Sequence, residues 1–240
     1  MKTTRNMLMV ALMLAAIALA PPSASAALIT GTTIESATIG LNANMGPENA
    51  INGQGLPGNT PALSGSHEQR WNSNWWAGWD GNVTDWQITV DLEGNYALDA
   101  IHIWNYREST SLNQRGLKNV EIYVSPDEDE NNLVKLITDG SGTQDNGAGD
   151  FLFPIAPGTS PYLGFDLDTS GVTNASLLDN ARLVRLYSPD THGESHGGLA
   201  EIQFDGSDPI LGEVPEPATM ALLSLAACGL GGYVRKRRQA

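Results

Sequence analysis

The sequence has a single cysteine, Cys228, which lies in the last apolar stretch of the chain. Residues 27–214 therefore contain no cysteine, so no disulfide stabilises them. Cys228 has two interpretations: a small apolar residue in a membrane segment, or a lipidation site. The stability of residues 27–214 must come from a hydrophobic core, with a bound metal as a second source.

Basic residues are also scarce. Residues 27–214 contain 26 aspartates and glutamates but only 7 lysines and arginines, and the whole chain has a net charge of −14. Nucleic-acid binding depends on cationic contacts with phosphate, so this balance excludes nucleic acid as a partner. It suits an exported protein that binds neutral ligands or divalent cations.

Signatures of catalysis are missing as well. There is no G-x-S-x-G motif for acyl transfer, and no glycine-rich loop follows a strand and opens a helix to hold phosphate. Carboxylates are common because the chain is acidic, but no pair has a setting that would separate its two pKa values. We expect a protein that is not an enzyme, with a hydrolase as a remote alternative.

Helical periodicity is rare, and short runs of alternating apolar and polar residues take its place. In the segment DWQITVDL the residues Trp86, Ile88, Val90 and Leu92 share one face, and KNVEIYVS behaves in the same way. The other segments of this kind are AIHIWNY, NLVKLI, DFLFPI, YLGFDLD, ARLVRLYS and GLAEIQF. This pattern predicts an all-β fold of about eight antiparallel strands, arranged as a sandwich or jelly roll.

The two ends of the chain differ from the part between them. Residues 1–26 begin with Lys2 and Arg5, continue as an apolar run and end in Ala-Ser-Ala, which predicts a secretory signal peptide removed by signal peptidase. At the other end, residues 218–234 carry no charge and four basic residues follow them. This run is near the lower limit for crossing a membrane, and it predicts either a permanent anchor or a sorting tail that is later cut.

The C-terminal arrangement resembles a known export signal. Pro215, Glu216 and Pro217 precede the apolar run and its basic cluster, and this order is similar to the PEP-CTERM sorting signal of Gram-negative bacteria. The resemblance covers residues 214–240. It implies processing by an exosortase-type enzyme, an intermediate anchored in the inner membrane, and delivery to the cell surface or extracellular matrix.

Most of the remaining chain resembles a second family. PENAINGQG, RWNSNWW, DWQITVDLEGNYALDAIHIWN, RGLKNVEIYVS, ARLVRLYS and GLAEIQF occur in the order seen in discoidin domains, the coagulation factor 5/8 C-terminal type of the galactose-binding-like superfamily. The resemblance implies an eight-stranded antiparallel jelly-roll sandwich. The predicted organisation is a signal peptide (1–26), a discoidin-like domain (27–208), a linker with the Pro-Glu-Pro motif (209–217) and a hydrophobic helix with a basic tail (218–240).

Candidate ligand residues occur in three polar loops. Aromatic rings stack on sugar rings while polar groups bond the hydroxyls, so we expect a polysaccharide ligand. The residues assigned to this site are Trp75, Trp76, Trp79, Asn105, Arg107, His192 and His196. The alternatives are aromatics that only cover the sandwich edge, a surface ion pair between Arg107 and Glu108, and a zinc site or a solvated loop at the two histidines.

A cation site is implied by the discoidin resemblance alone. The matching positions are Ala50, Asn52, Gly53 and Glu201, whose oxygens suit Ca²⁺. The family usually has Asp where this chain has Asn52, so one charge is lost. The Gly- and Asp-rich segment 139–150 is a second, weaker candidate for calcium, and its other interpretation is a flexible loop. A structural or adhesive matrix protein without a specific small ligand is the alternative function.

Overall fold

The computed structural model describes residues 27–38, 45–69, 77–78 and 85–208, with only the backbone of residues 77–78. These residues belong to one compact unit that ends at Asp208. The predicted signal peptide, linker, sorting motif and C-terminal helix lie outside the described residues, as do Trp75, Trp76 and Trp79. Within the described ranges, no helix has the length and apolar character that a membrane crossing needs.

Strands dominate the regular structure of the described residues. All pairings between these strands are antiparallel. The strands are β1 (Ala27–Leu28), β2 (Thr33–Ala37), β3 (Ala77–Gly78), β4 (Trp86–Asn105), β5 (Asn119–Ser125), β6 (Val134–Lys135), β7 (Phe151–Leu152), β8 (Phe165–Asp166), β9 (Ala181–Ser188) and β10 (Gly198–Ser207). The helices are short 3₁₀ turns at Pro47–Ala50, Pro57–Asn59, Asn113–Arg115, Glu130–Asn132 and Ala175–Asn180.

The predicted all-β antiparallel fold is confirmed, and each of the eight predicted segments contains a strand. The number of strands differs because two predicted segments join into the single long strand β4, while β1, β2 and β3 were not predicted. The short strands β1 and β3 have two residues each. A run of that length has no alternation for a sequence pattern to show.

Strand β4 connects the two sheets of the sandwich. Its first part pairs with β2 and β9, and its second part pairs with β8 and β10. Between these parts the register with β9 shifts, and Glu93 adopts a φ of 60° while its N–H donates to Asp91 Oδ1 at 2.7 Å. A bulge of this kind bends a strand, and here it lets one strand serve both sheets.

The main core lies between the sheets. The predicted inner face of β4 is confirmed, since Trp86, Ile88, Val90 and Leu92 are all at most 2% exposed. They pack with the inner faces of three further strands, among them Val120, Ile122, Val124, Val184, Leu186, Ile202 and Phe204. Each such aliphatic side chain contributes about 2 kcal/mol by leaving water.

A second, smaller core lies where β4 ends. Trp104 and Tyr106 pack there against Tyr162, together with Met45, Leu56, Ala156 and Ala200. Ile103, the neighbour of Trp104, belongs to the main core, so alternation along β4 directs successive side chains into the two different cores. The smaller core thus packs under the start of the loop that follows β4.

Candidate functional site

Several loops meet at the end of β4. Trp104 Nε1 donates to the carbonyl of Gly65 at 3.1 Å, and the N–H of Asn105 donates to the hydroxyl of Tyr162 at 2.8 Å. The N–H of His67 donates to the carbonyl of Tyr162 at 2.9 Å. These bonds fasten segments 65–67 and 154–162 to the strand end, and they build one face of the molecule from residues far apart in sequence.

Asn105 holds this face together from inside. It is fully buried, and its Nδ2 donates to the carbonyls of Leu117 and Pro154 at 2.8 and 3.0 Å. Its Oδ1 accepts the N–H groups of Tyr106 and Leu117, both at 2.9 Å. An asparagine amide offers two donors and one oxygen with two lone pairs, and all four positions are used here. The predicted ligand contact from Asn105 is therefore not supported, because no atom of this amide is left for a sugar.

Arg107 is also buried, with no exposed surface. Nη1 donates to the carbonyl of His67 at 2.8 Å, and Nη2 donates to Ser160 Oγ at 2.9 Å. The guanidinium carbon lies 5.8 Å from the ring centre of Tyr162, within range of a cation–π contact. Burial lowers the pKa of Arg107, and the nearby Tyr162 opposes that effect. In this conformation Arg107 does not reach the surface, whereas the sequence predicted that its side chain would form hydrogen bonds with a ligand.

The alternative surface pair of Arg107 with Glu108 is not formed either. Glu108 is buried, and its Oε2 accepts the Tyr106 hydroxyl at 2.6 Å and Arg115 Nη1 at 2.9 Å. The N–H of Glu108 donates to Oδ1 of Asn113 at 3.0 Å. Burial and the neighbouring Glu108 raise the pKa of the Tyr106 hydroxyl. The loop after β4 is thus held by an internal network of hydrogen bonds, whereas the sequence predicted ligand contacts or a surface ion pair in this loop.

The two histidines lie in a loop, residues 189–197, that has no helix. His192 is half-buried, and its Nε2 donates to the carbonyl of Phe153 at 2.9 Å; burial lowers its pKa. His196 Nδ1 lies 3.2 Å from Ser195 Oγ. Among the described residues, no group of three or more His, Cys, Asp or Glu side chains is placed to hold a metal. The zinc alternative, which needs such a group, gains no support.

Strand β3 is the described part of the backbone nearest in sequence to the three tryptophans. Ala77 pairs with Leu199 and Gly78 with Gly198, while Leu199 pairs on its other side with Asn105. In the sequence, Trp76 immediately precedes β3 and Trp79 immediately follows it. The backbone of Ala77 and Gly78 therefore lies beside the start of β10, which separates it from the end of β4 and the loop of residues 106–118.

The candidate cation site centres on Glu201, which is fully buried in β10. Its Oε1 accepts the N–H of Gly53 at 3.0 Å and a bond from Gln203 Nε2, while its Oε2 has no partner among the described residues. Gln203 Nε2 also donates to the carbonyl of Ile51 at 3.2 Å. Burial raises the pKa of Glu201 to about 8. The structure thus brings together two of the predicted positions, Gly53 and Glu201.

Asn52 has a local role in the same turn. Its Oδ1 accepts the N–H of Gln54 at 2.8 Å, and its Nδ2 donates to Asn49 Oδ1 at 3.3 Å. The side-chain oxygen of Asn52 therefore stabilises the turn. The oxygens that could serve as calcium ligands are then the backbone carbonyls of residues 50–53 and Oε2 of Glu201, which has no partner among the described residues. A buried carboxylate oxygen without a partner is the observation that fits a hard cation here.

One comparison with known proteins identifies a motif outside the described residues. Residues 213–238 match the PEP-CTERM protein-sorting motif. This match contains Pro215, Glu216 and Pro217, and the chain therefore carries a protein-sorting signal near its C-terminal end. A search among curated proteins found no match to the chain.

Among solved structures, the chain is similar to a glycoside hydrolase, an F5/8 type C domain and CBM32 modules. It matches a family 89 glycoside hydrolase from Clostridium perfringens with 20% identity and a TM-score of 0.44, covering 75% of this chain and 15% of the hydrolase. It matches the F5/8 type C domain of a Bacteroides fragilis protein with 15% identity and a TM-score of 0.47, covering 78% of this chain and 99% of that domain. A CBM32 module of the Clostridium perfringens enzyme, in complex with GalNAc-β-1,3-galactose, matches with 18% identity and a TM-score of 0.46. The match covers 75% of this chain and 99% of that module.

Sequence reasoning missed the residues that build the end of the sandwich. His67, Tyr162 and Glu108 are buried there, but each lies in a polar or proline-rich stretch that reads as a surface loop. Gly116 is the sequence feature that could have indicated this packing, since a Cβ at its position would lie 2.9 Å from Asn105 Nδ2 in the structure. A glycine beside a polar loop can mark such a close approach.

Proposed function

We propose that this protein is exported to the cell surface or extracellular matrix, where its β sandwich binds polysaccharide. The sorting motif at residues 213–238 and the predicted signal peptide support export. By this proposal an exosortase-type enzyme acts near Pro215, Glu216 and Pro217, after an intermediate stage in the inner membrane.

The observation that carries the binding proposal is the position of β3. Its pairing with Gly198 and Leu199 places the backbone of Ala77 and Gly78 beside the start of β10, one strand away from the end of β4. A sugar ring needs both an aromatic face and nearby hydrogen-bonding groups, and the loop of residues 189–197 leads directly into the part of β10 that pairs with β3. Trp75, Trp76 and Trp79 are proposed to stack on the sugar.

The other proposed ligand residues have different roles in the site. His192 and His196 stand in a partly exposed loop, so they are the ones proposed to bond sugar hydroxyls directly. Asn105 holds the loops in place without touching the ligand.

A glycan array tests the binding proposal. The mature protein is expected to bind at least one polysaccharide, and Trp76→Ala should weaken that binding about tenfold, because an aromatic contact is worth about 1 kcal/mol beyond its buried area. Tyr187→Ala is the matched control, since it removes an aromatic ring from β9, away from β3. Equal losses in the two variants would contradict the assignment of the site.

The alternative is a structural or adhesive matrix protein without a specific small ligand. The burial of Asn105 and Arg107 favours it, because two residues expected at the ligand surface do not reach it. A correctly folded protein that binds nothing on a broad array of glycans would support this alternative over the first.

We further propose that Ca²⁺ occupies the site at Glu201 and stabilises the domain. The Glu201 carboxylate and backbone carbonyls at Ala50, Asn52 and Gly53 would hold it, and the ion would replace the proton that the raised pKa of Glu201 favours. EDTA should then lower the Tm of the mature protein, and added Ca²⁺ should restore it. In Glu201→Gln both effects should vanish; a Tm that is indifferent to Ca²⁺ in the parent protein would rule the ion out.

A further inference from the structure

Arg107 differs from the other arginines of the described residues because no carboxylate lies beside it. The others form close ion pairs: Arg115 with Glu108 at 2.9 Å, Arg182 with Asp91 at 2.6 Å and Arg185 with Glu130 at 2.9 Å. Residues 27–214 contain 26 acidic residues and 7 basic ones, so carboxylates are abundant. A fully buried guanidinium without one is costly, because buried charges are normally paired.

One edge of this guanidinium is almost free. Nη1 is engaged by the carbonyl of His67, but Nη2 has only the neutral hydroxyl of Ser160, and Nε is buried without a partner. Nε and Nη2 are the two donors that arginine uses side by side to bind both oxygens of a carboxylate. The edge suited to a carboxylate therefore holds a single hydroxyl.

This edge lies close beneath the surface. Ser160, the residue that covers Nη2, is itself exposed, as are its neighbours Thr159 and Pro161. They belong to the connection between β7 and β8, which has no strand pairing of its own over residues 157–161. Displacement of the Ser160 hydroxyl would therefore open the edge without breaking a sheet.

We propose that Arg107 is an anion subsite and that the polysaccharide bound by this domain contains uronic acid units. The inference rests on the proposed function and specifies its ligand: a sugar carboxylate takes the place of the Ser160 hydroxyl and receives Nε–H and Nη2–H together. The uncompensated charge then gains the partner that the chain itself does not provide.

The net negative charge of the protein does not prevent an acidic polysaccharide from binding at Arg107. Repulsion between the negatively charged domain and an acidic polymer is screened over about 10 Å at an ionic strength of 0.1 M. The contact with Arg107 acts within hydrogen-bond distance and away from bulk water, where screening is much weaker. Binding should therefore be measured at 0.15 M NaCl rather than at low salt.

The test compares polygalacturonate with the same polymer after chemical reduction of its carboxyl groups. The mature protein should bind polygalacturonate about ten- to a hundredfold more tightly than the reduced form, as expected for a charge-assisted bidentate contact. Arg107→Met should abolish that preference. Lys135→Met removes a positive charge from β6 instead and should leave the preference intact.

A second variant covers the case in which Arg107→Met does not fold. Ser160→Asp places a carboxylate of the chain itself at the exposed position beside Nη2, so it should raise the Tm and lower affinity for polygalacturonate while binding of the reduced polymer stays the same. Equal affinity for the two polymers, unaffected by Ser160→Asp, would overturn the anion subsite and leave polysaccharide binding in place. Failure to bind any glycan on the array would overturn the proposed function and this inference with it.

Discussion

The replacement Asn105→Ala should strongly destabilise the domain, because the side chain of this buried residue joins the end of β4 to two other segments of the chain. Its amide makes four hydrogen bonds to three residues: Tyr106, Leu117 and Pro154. Removing it leaves two backbone N–H groups and two carbonyls in a site with no exposed surface. A buried group that loses its partner costs about 1 kcal/mol or more, so the expected loss is about 3–5 kcal/mol.

Urea denaturation followed by circular dichroism measures this loss. For a domain of this size, the same loss corresponds to a fall in Tm of about 10 °C. Asn131→Ala is the matched control, because the Asn131 side chain makes an exposed bond to Asp129 within a surface turn. The control should change the free energy of unfolding by less than about 0.5 kcal/mol. A loss below about 1 kcal/mol for Asn105→Ala would refute the view that this amide organises the strand end.

Two further predictions concern the same end of the molecule. Burial lowers the pKa of His67 from 6.5 to about 4, so the contribution of this residue to the free energy of unfolding should be constant above pH 6.5 and should fall by about 3 kcal/mol between pH 6.5 and 4. The variant His67→Gln should lose less free energy of unfolding over that pH range than the parent protein. Parallel plots of unfolding free energy against pH for the two proteins would contradict this. Gly116→Ala should cost about 1–3 kcal/mol, because its Cβ would press on the fully bonded amide of Asn105, whereas Gly142→Ala, with its nearest contact at 3.5 Å, should be nearly neutral by urea denaturation.

The strands with regular alternation could be predicted from the sequence. Trp86, Ile88, Val90 and Leu92 alternate with polar residues, and a period of two places them on one face whatever the remainder of the chain does. The joining of two segments into β4 could not be predicted, because it depends on a bulge near Glu93 that only pairing with β9 defines.

The burial of residues inside the candidate site could not be predicted from sequence patterns, because it also depends on contacts between distant parts of the chain. Arg107 is buried by partners at positions 67 and 160, at separations of 40 and 53 residues. Such contacts leave no local periodicity, so a run such as Asn-Tyr-Arg-Glu-Ser-Thr has the composition of an exposed loop. The proximity of Glu201 and Gly53 could be predicted only from the family resemblance, because 148 residues separate them in the sequence.

Affinity electrophoresis of the mature protein shows whether this domain binds polysaccharide. Native gels that contain individual polysaccharides, neutral and acidic, should retard the protein in at least one case, and Trp76→Ala should migrate as in a gel without polysaccharide. Unchanged mobility of the folded parent protein in every gel would contradict the account of this domain as a carbohydrate-binding module.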